Sequence, residues 1–133
     1  MRAVRRGTWQ RATCIAAGAL LVLAAGACGD AGPESGPGIL TARVVSPNGA
    51  EGAALVTLVG PGIEGIAAAG GRVFSEVHGD TVVVVVVNEP GGDLSFEVSL
   101  ADTTRPPTGV LVEVSGPDDR IRALTGYSLE IRR

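Results

Sequence analysis

The chain has 133 residues, 45% hydrophobic and 3% aromatic, with eleven basic residues against fourteen acidic ones for a formal net charge of −3. The roughly 106 residues from Cys28 onward are expected to form one domain rather than two. The chain's acidic balance excludes nucleic acid and anionic lipid headgroups as partners recognised through charge alone.

Met1 to Thr13 carries Arg2, Arg5, Arg6 and Arg11 with no acidic residue, and Cys14 to Ala25 is almost wholly apolar. A positive start followed by a short apolar run is the pattern of a secretory signal. The run is shorter than the roughly 18–20 residues that span a bilayer as a helix, so cleavage is expected over anchoring. Ala25-Gly26-Ala27-Cys28 then resembles the lipobox of bacterial lipoproteins, with Ala25 standing where that family prefers Leu. The resemblance implies cutting between Ala27 and Cys28, diacylglycerol on the Cys28 thiol, and acylation of the new amino terminus. It places the protein in the cell envelope, lipid-anchored, with the outer membrane favoured over the inner in a Gram-negative cell. A plain cleaved secretory signal and an uncleaved anchor are the alternatives. The paired Arg5-Arg6 lacks the rest of a twin-arginine motif.

Loss of residues 1–27 removes four arginines and no acid, leaving seven basic residues against fourteen acidic ones, a net −7. Cys14 lies inside the signal and Cys28 at the cut, so the mature domain is expected to have no intrachain disulfide and to depend on its apolar core. With Trp9 in the signal, Phe74, Phe96 and Tyr127 are the remaining aromatics, and Val, Leu, Ile and Ala must fill that core. Gly29 to Gly38 is rich in Gly and Pro and reads as a flexible tether, so the expected organisation is signal 1–27, lipidated cysteine and tether 28–38, and domain 39–133.

From Ile39 onward, apolar runs alternate with turn residues. Strands are expected at Ile39–Ser46, Ala53–Val59, Ile63–Ala68, Arg72–Val77, Thr81–Val87, Leu94–Ala101, Val110–Ser115 and Tyr127–Arg132. Each proline after the tether falls between them, as expected of a residue that cannot donate to a ladder. Period-two alternation turns Leu94, Phe96, Val98 and Leu100 inward, and likewise Val110, Val112 and Val114, and Tyr127, Leu129 and Ile131. Helical spacing competes only over Asp118–Leu124, as one short turn. Val82 to Val87 is six valines in succession, which predicts a central strand covered on both faces. Asp80 before it and Asn88-Glu89-Pro90 after it act as gatekeepers against aggregation.

Short strands at this spacing, separated by Gly/Pro turns, predict an all-β sandwich of eight or nine strands. In order, Gly52 to Leu58, Gly62-Ile63, Phe74, the valine strand and Gly92 to Val98 resemble the cohesin-like domains of the carbohydrate-binding-module superfamily. The resemblance covers roughly Leu40 to Ala101. It implies a jelly-roll sandwich and a role in protein or glycan adhesion.

No set of side chains names a reaction. His78 is the sole histidine and has Asp80 near it, but no serine stands in a G-x-S-x-G elbow, so a solvated turn histidine is expected. One histidine and one acylated cysteine are too few for a usual zinc or copper site. Oxygen ligands for calcium exist in Asp118-Asp119 and in Asp93 with Asp102, without calcium-loop spacing. The cohesin resemblance leaves a structural calcium open; otherwise no cofactor is expected. Sugar stacking needs exposed rings, whereas Phe96 and Tyr127 are expected inward and Phe74 is assigned to neither face. The expected role is a non-enzymatic interaction or adhesion module that meets an envelope protein through loops or an edge strand. A glycan- or small-ligand-binding jelly roll is the alternative, and an envelope hydrolase the third reading.

Overall fold

The turn residues divide residues 34–133 into eight strands: β1 (Gly38–Val45), β2 (Glu51–Val59), β3 (Ile63–Ala68), β4 (Arg72–His78), β5 (Thr81–Gly92), β6 (Ser95–Leu100), β7 (Thr108–Ser115) and β8 (Ser128–Arg132). These come from a computed structural model that describes residues 34–133, and no helix occurs among them. Ala27, Cys28 and the signal reading lie outside the described residues.

The strands form two four-stranded antiparallel sheets, β3-β6-β1-β8 and β4-β5-β2-β7. Among the described residues β4 and β5 are the only consecutive strands that pair as a hairpin, and every other connection crosses between sheets. Gly79 has φ 63° at the first position of the two-residue loop of that hairpin, the conformation a II′ turn requires there.

Alternation builds the core. Leu40, Ala42 and Val44 from β1 and Phe96, Val98 and Leu100 from β6 face Ala54, Val56 and Leu58 from β2 and Val82, Val84 and Val86 from β5. Leu94 and Val114 complete this set. Tyr127, Leu129 and Ile131 pack on its margin, as their spacing predicts. Phe96 is the one aromatic side chain among the fully buried residues, so its loss would leave the largest void.

Several local expectations are corrected. Val110 and Val112 point to solvent rather than inward, because β7 carries a bulge: Glu113 pairs with Leu55 and Leu111 with Val56, which passes over Val112. One extra residue reverses the parity of a strand, so Leu111 rather than Val112 packs against the core. Gly109 then lies where an added Cβ would collide with Leu129. β5 continues past the expected break to Gly92, with Pro90 inside it. Between the pairs Ala53↔Val87 and Glu51↔Gly92 the ladder is irregular, and a residue without an N–H is tolerated at such a bulge. His78 ends β4, paired with Thr81, instead of lying in the turn. The helical turn at Asp118–Leu124 is absent. Asp119 there adopts φ 58°, and Ile121 bridges to Ser115. Finally, the end of the expected tether is held: the Gly36 carbonyl accepts from Thr103 N at 3.0 Å, and the Glu34 carbonyl accepts from Arg133 at 3.2 Å.

Candidate functional site

Two features stand out as places where the domain could do something, a cleft at one end that carries several charged side chains and an apolar outer face. The cleft forms where the β1–β2 loop meets the β5–β6 connection, beside Glu130 of β8. Its volume is about 460 Å³, and Arg43, Ser46, Glu51, Asp93 and Glu130 contribute to its lining. Glu51, the first residue of β2, is 1% exposed, the only buried charged residue among those described. Its Oε1 accepts hydrogen bonds from Tyr127 Oη and from Ser46 Oγ, the latter at 2.7 Å. Asn48 Nδ2 donates to the Tyr127 oxygen at 2.7 Å. Arg122 Nε lies 3.6 Å from Glu51 Oε2, and neither atom makes a hydrogen bond. Arg122 also reaches Asp118 at 3.0 Å.

Burial alone would raise the Glu51 carboxyl. The hydrogen bonds from Tyr127 and Ser46, with the Arg122 charge, outweigh it and hold the group below the usual glutamate range. Ser46 Oγ also accepts from Asn48 N at 3.0 Å. A serine beside a buried carboxylate has the outline of a nucleophile and its base. A base with a depressed pKa is nonetheless poorly matched to taking a proton near neutrality. The arrangement instead ties the β1–β2 turn to the segment leading into β8. Opposite it, Arg43 holds both oxygens of Asp93 at 3.0 Å on the exposed rim.

The two outer faces of the sandwich differ sharply. On the β3-β6-β1-β8 sheet the side chains turned away from the core include Thr41, Arg43, Ser95, Glu97, Ser99 and Glu130, with Ile39 and Val45 as exposed apolar residues at the two ends of β1. On the β4-β5-β2-β7 sheet they include Leu55, Phe74, Val83, Val85, Val110 and Val112. Phe74 is 58% exposed and Val110 54%. Val83, Val85 and Val87 are half-buried, shielded only by lateral neighbours. This corrects the expectation of a valine strand covered on both sides: β5 is internal to its sheet, yet no second layer lies over its outer row among the described residues. Arg72, Glu76, His78 and Glu113 rim this apolar field.

The other candidates fall as follows. His78 Nε2 lies 3.3 Å from Glu76 Oε1 on the exposed rim. Asp93 and Asp102 flank opposite ends of β6, a separation of about 20 Å for a strand of this length, so they do not converge on one ion. The Asp102 carboxylate accepts from Thr104 Oγ1 and N, which lowers its pKa. Asp118 is engaged with Arg122, and with Arg120 at 3.9 Å. No metal-ligating cluster occurs among the described residues. Phe96 is buried, Tyr127 half-buried with its hydroxyl engaged, and Phe74 exposed. Sequence reasoning passed over Glu51, whose partners Tyr127 and Arg122 are remote in the chain; no local pattern marks it.

The structure is thus an all-β sandwich of two four-stranded antiparallel sheets with one polar and one apolar outer face. No family model, curated protein or solved structure matches the chain.

Proposed function

We propose that the domain is a non-enzymatic protein-interaction module, displayed in the cell envelope by a lipid on Cys28, whose contact surface is the outer face of the β4-β5-β2-β7 sheet. The contrast between the two outer faces carries this reading. Contiguous exposed apolar surface rimmed by polar residues is the usual mark of a contact site, and here Phe74, Val85 and Val110 stand among such a rim. The lipobox-like Ala25-Gly26-Ala27-Cys28 supports the anchor, and the cohesin-like run from Leu40 to Ala101 supports adhesion by a jelly-roll sandwich. An envelope protein is the partner class that suits a flat aliphatic face.

Phe74 favours a second reading, since its exposed ring could stack on a sugar. Its ring, however, lies against Val85, with Arg72 and Glu76 flanking it on the same face, and it is the one exposed Phe or Tyr ring among the described residues, so no second such ring extends a stacking platform. The test uses the full chain in its native envelope, comparing Val85→Lys with Val110→Asp and with Thr41→Lys and Glu97→Lys on the polar face. Loss of a co-purifying envelope protein in the first pair alone supports the reading. Equal loss in both pairs, or retrieval of glycan by all four variants, overturns it.

A further inference from the structure

A sandwich of two open sheets has four edge strands, and an uncovered edge is a template for another strand. Three of the four here are blunted. β3 is six residues long with a register shift between Ile63 and Gly65. β8 has only five residues, and β7 is bulged at Val112. β4 is different: all seven of its residues pair with β5 in unbroken register, and its other side carries no strand among the described residues. Val77 on β4 pairs with the buried Val82, so it belongs to the core-facing row, yet it is 63% exposed. A strand added beside β4 would give it a neighbour.

We propose that β4 pairs antiparallel with β4 of a second copy of this chain, with the twofold axis at Phe74. This deepens the reading of the domain as an interaction module, on which it rests, by naming one partner. The register follows from charge. Residues opposite one another in a ladder share a face, so a symmetric pairing that engages at least five of the seven β4 residues can be centred on Phe74, Ser75 or Glu76. Centring on Glu76 sets that carboxylate against itself, and centring on Ser75 sets Arg72 against His78 and Phe74 against Glu76. Centring on Phe74 alone sets Arg72 opposite Glu76 twice over, with the two Phe74 rings meeting between them.

The hydrogen-bonding groups agree. His78 and Thr81 close a two-residue hairpin and so exchange hydrogen bonds. By alternation, Arg72, Phe74 and Glu76 spend their backbone groups on β5. Those of Val73, Ser75 and Val77 face outward. The two Phe74 residues therefore form a non-hydrogen-bonded pair, in which Cα atoms approach to about 4.5 Å and side chains are closest. Within one copy, Arg72 pairs with Glu89 and Glu76 with His78, all highly exposed, so these contacts are readily shared across the new interface.

The test is oxidative crosslinking of the full chain in the bacterial envelope, with the unsubstituted chain under the same oxidation as background for Cys14 and Cys28. Phe74→Cys is expected to give a disulfide-linked dimer well above background, since its Cα separation lies within disulfide range. Ser75→Cys is expected to stay at background, because its Cα atoms would be about 8 Å apart in this register. Adding Arg72→Glu to Phe74→Cys should lower the dimer yield by roughly tenfold through two repelling pairs, and further adding Glu76→Arg should restore it. Background crosslinking at Phe74→Cys, stronger crosslinking at Ser75→Cys, or an Arg72→Glu effect that Glu76→Arg does not reverse overturns the proposal. If it falls while Val85→Lys and Val110→Asp still abolish partner retrieval, the edge assignment fails and the face survives.

Discussion

Glu51→Ala should be the most damaging substitution of a charged residue in this domain, and its cost can be worked from the contacts. The change removes the acceptor for the Tyr127 and Ser46 hydroxyls and the counter-charge facing Arg122 Nε. Hydrogen bonds to a charged group contribute about 1.5–3 kcal/mol each. Arg122 is 31% exposed and retains Asp118, so its loss is partly offset by water and that carboxylate. A total of about 2–4 kcal/mol follows, which for a domain of this size lowers Tm by roughly 10–25 °C. Glu51→Gln keeps an oxygen for the two hydroxyls and should cost about 1 kcal/mol. Urea titration monitored by circular dichroism measures both. Because the folded-state pKa of Glu51 is depressed, its stabilisation is fully present above the unfolded value of about 4.3. It is lost as pH falls through the lower folded value. The gap between wild type and Glu51→Gln should therefore close on acidification below that point. A Glu51→Ala variant within 0.5 kcal/mol of wild type, or a gap that widens in acid, would refute the electrostatic account of this cluster.

Phe96→Ala, at the centre of the core, should cost about 3–5 kcal/mol in the same assay, while Phe74→Ala should shift stability by no more than about 0.5 kcal/mol. Gly71→Ala should destabilise by more than about 1 kcal/mol, because Gly71 has φ 76° and an added Cβ would meet the Val87 carbonyl; thermal denaturation reads this directly. Breaking the exposed Arg43–Asp93 pair by Arg43→Ala should change stability by at most about 1 kcal/mol, measurable by the shift in urea midpoint at constant slope.

The strands were legible because alternation and turn chemistry agree along most of the chain. Leu94 to Leu100 and Tyr127 to Ile131 fall on the faces their spacing predicts. The failures share one cause: pairing with a partner strand, which a single segment does not encode. The bulge at Val112 is set by the match of β7 to β2, and the passage of β5 through Pro90 by its irregular match to the start of β2. Six valines state that a strand is apolar on both faces, but not that its sheet lacks a covering layer. Glu51 was illegible for a related reason, since its burial depends on Tyr127 and Arg122 arriving from far along the chain.

The claim that the apolar outer face is the working surface is tested most directly by a photocrosslinking map of the full chain in the cells that produce it. A photoreactive residue replaces, in turn, Val85 and Val110 on the apolar face and Thr41 and Glu97 on the polar one. The account predicts protein adducts from Val85 and Val110, and none from Thr41 and Glu97. Adducts that arise equally from both faces, or from Thr41 and Glu97 alone, would contradict it.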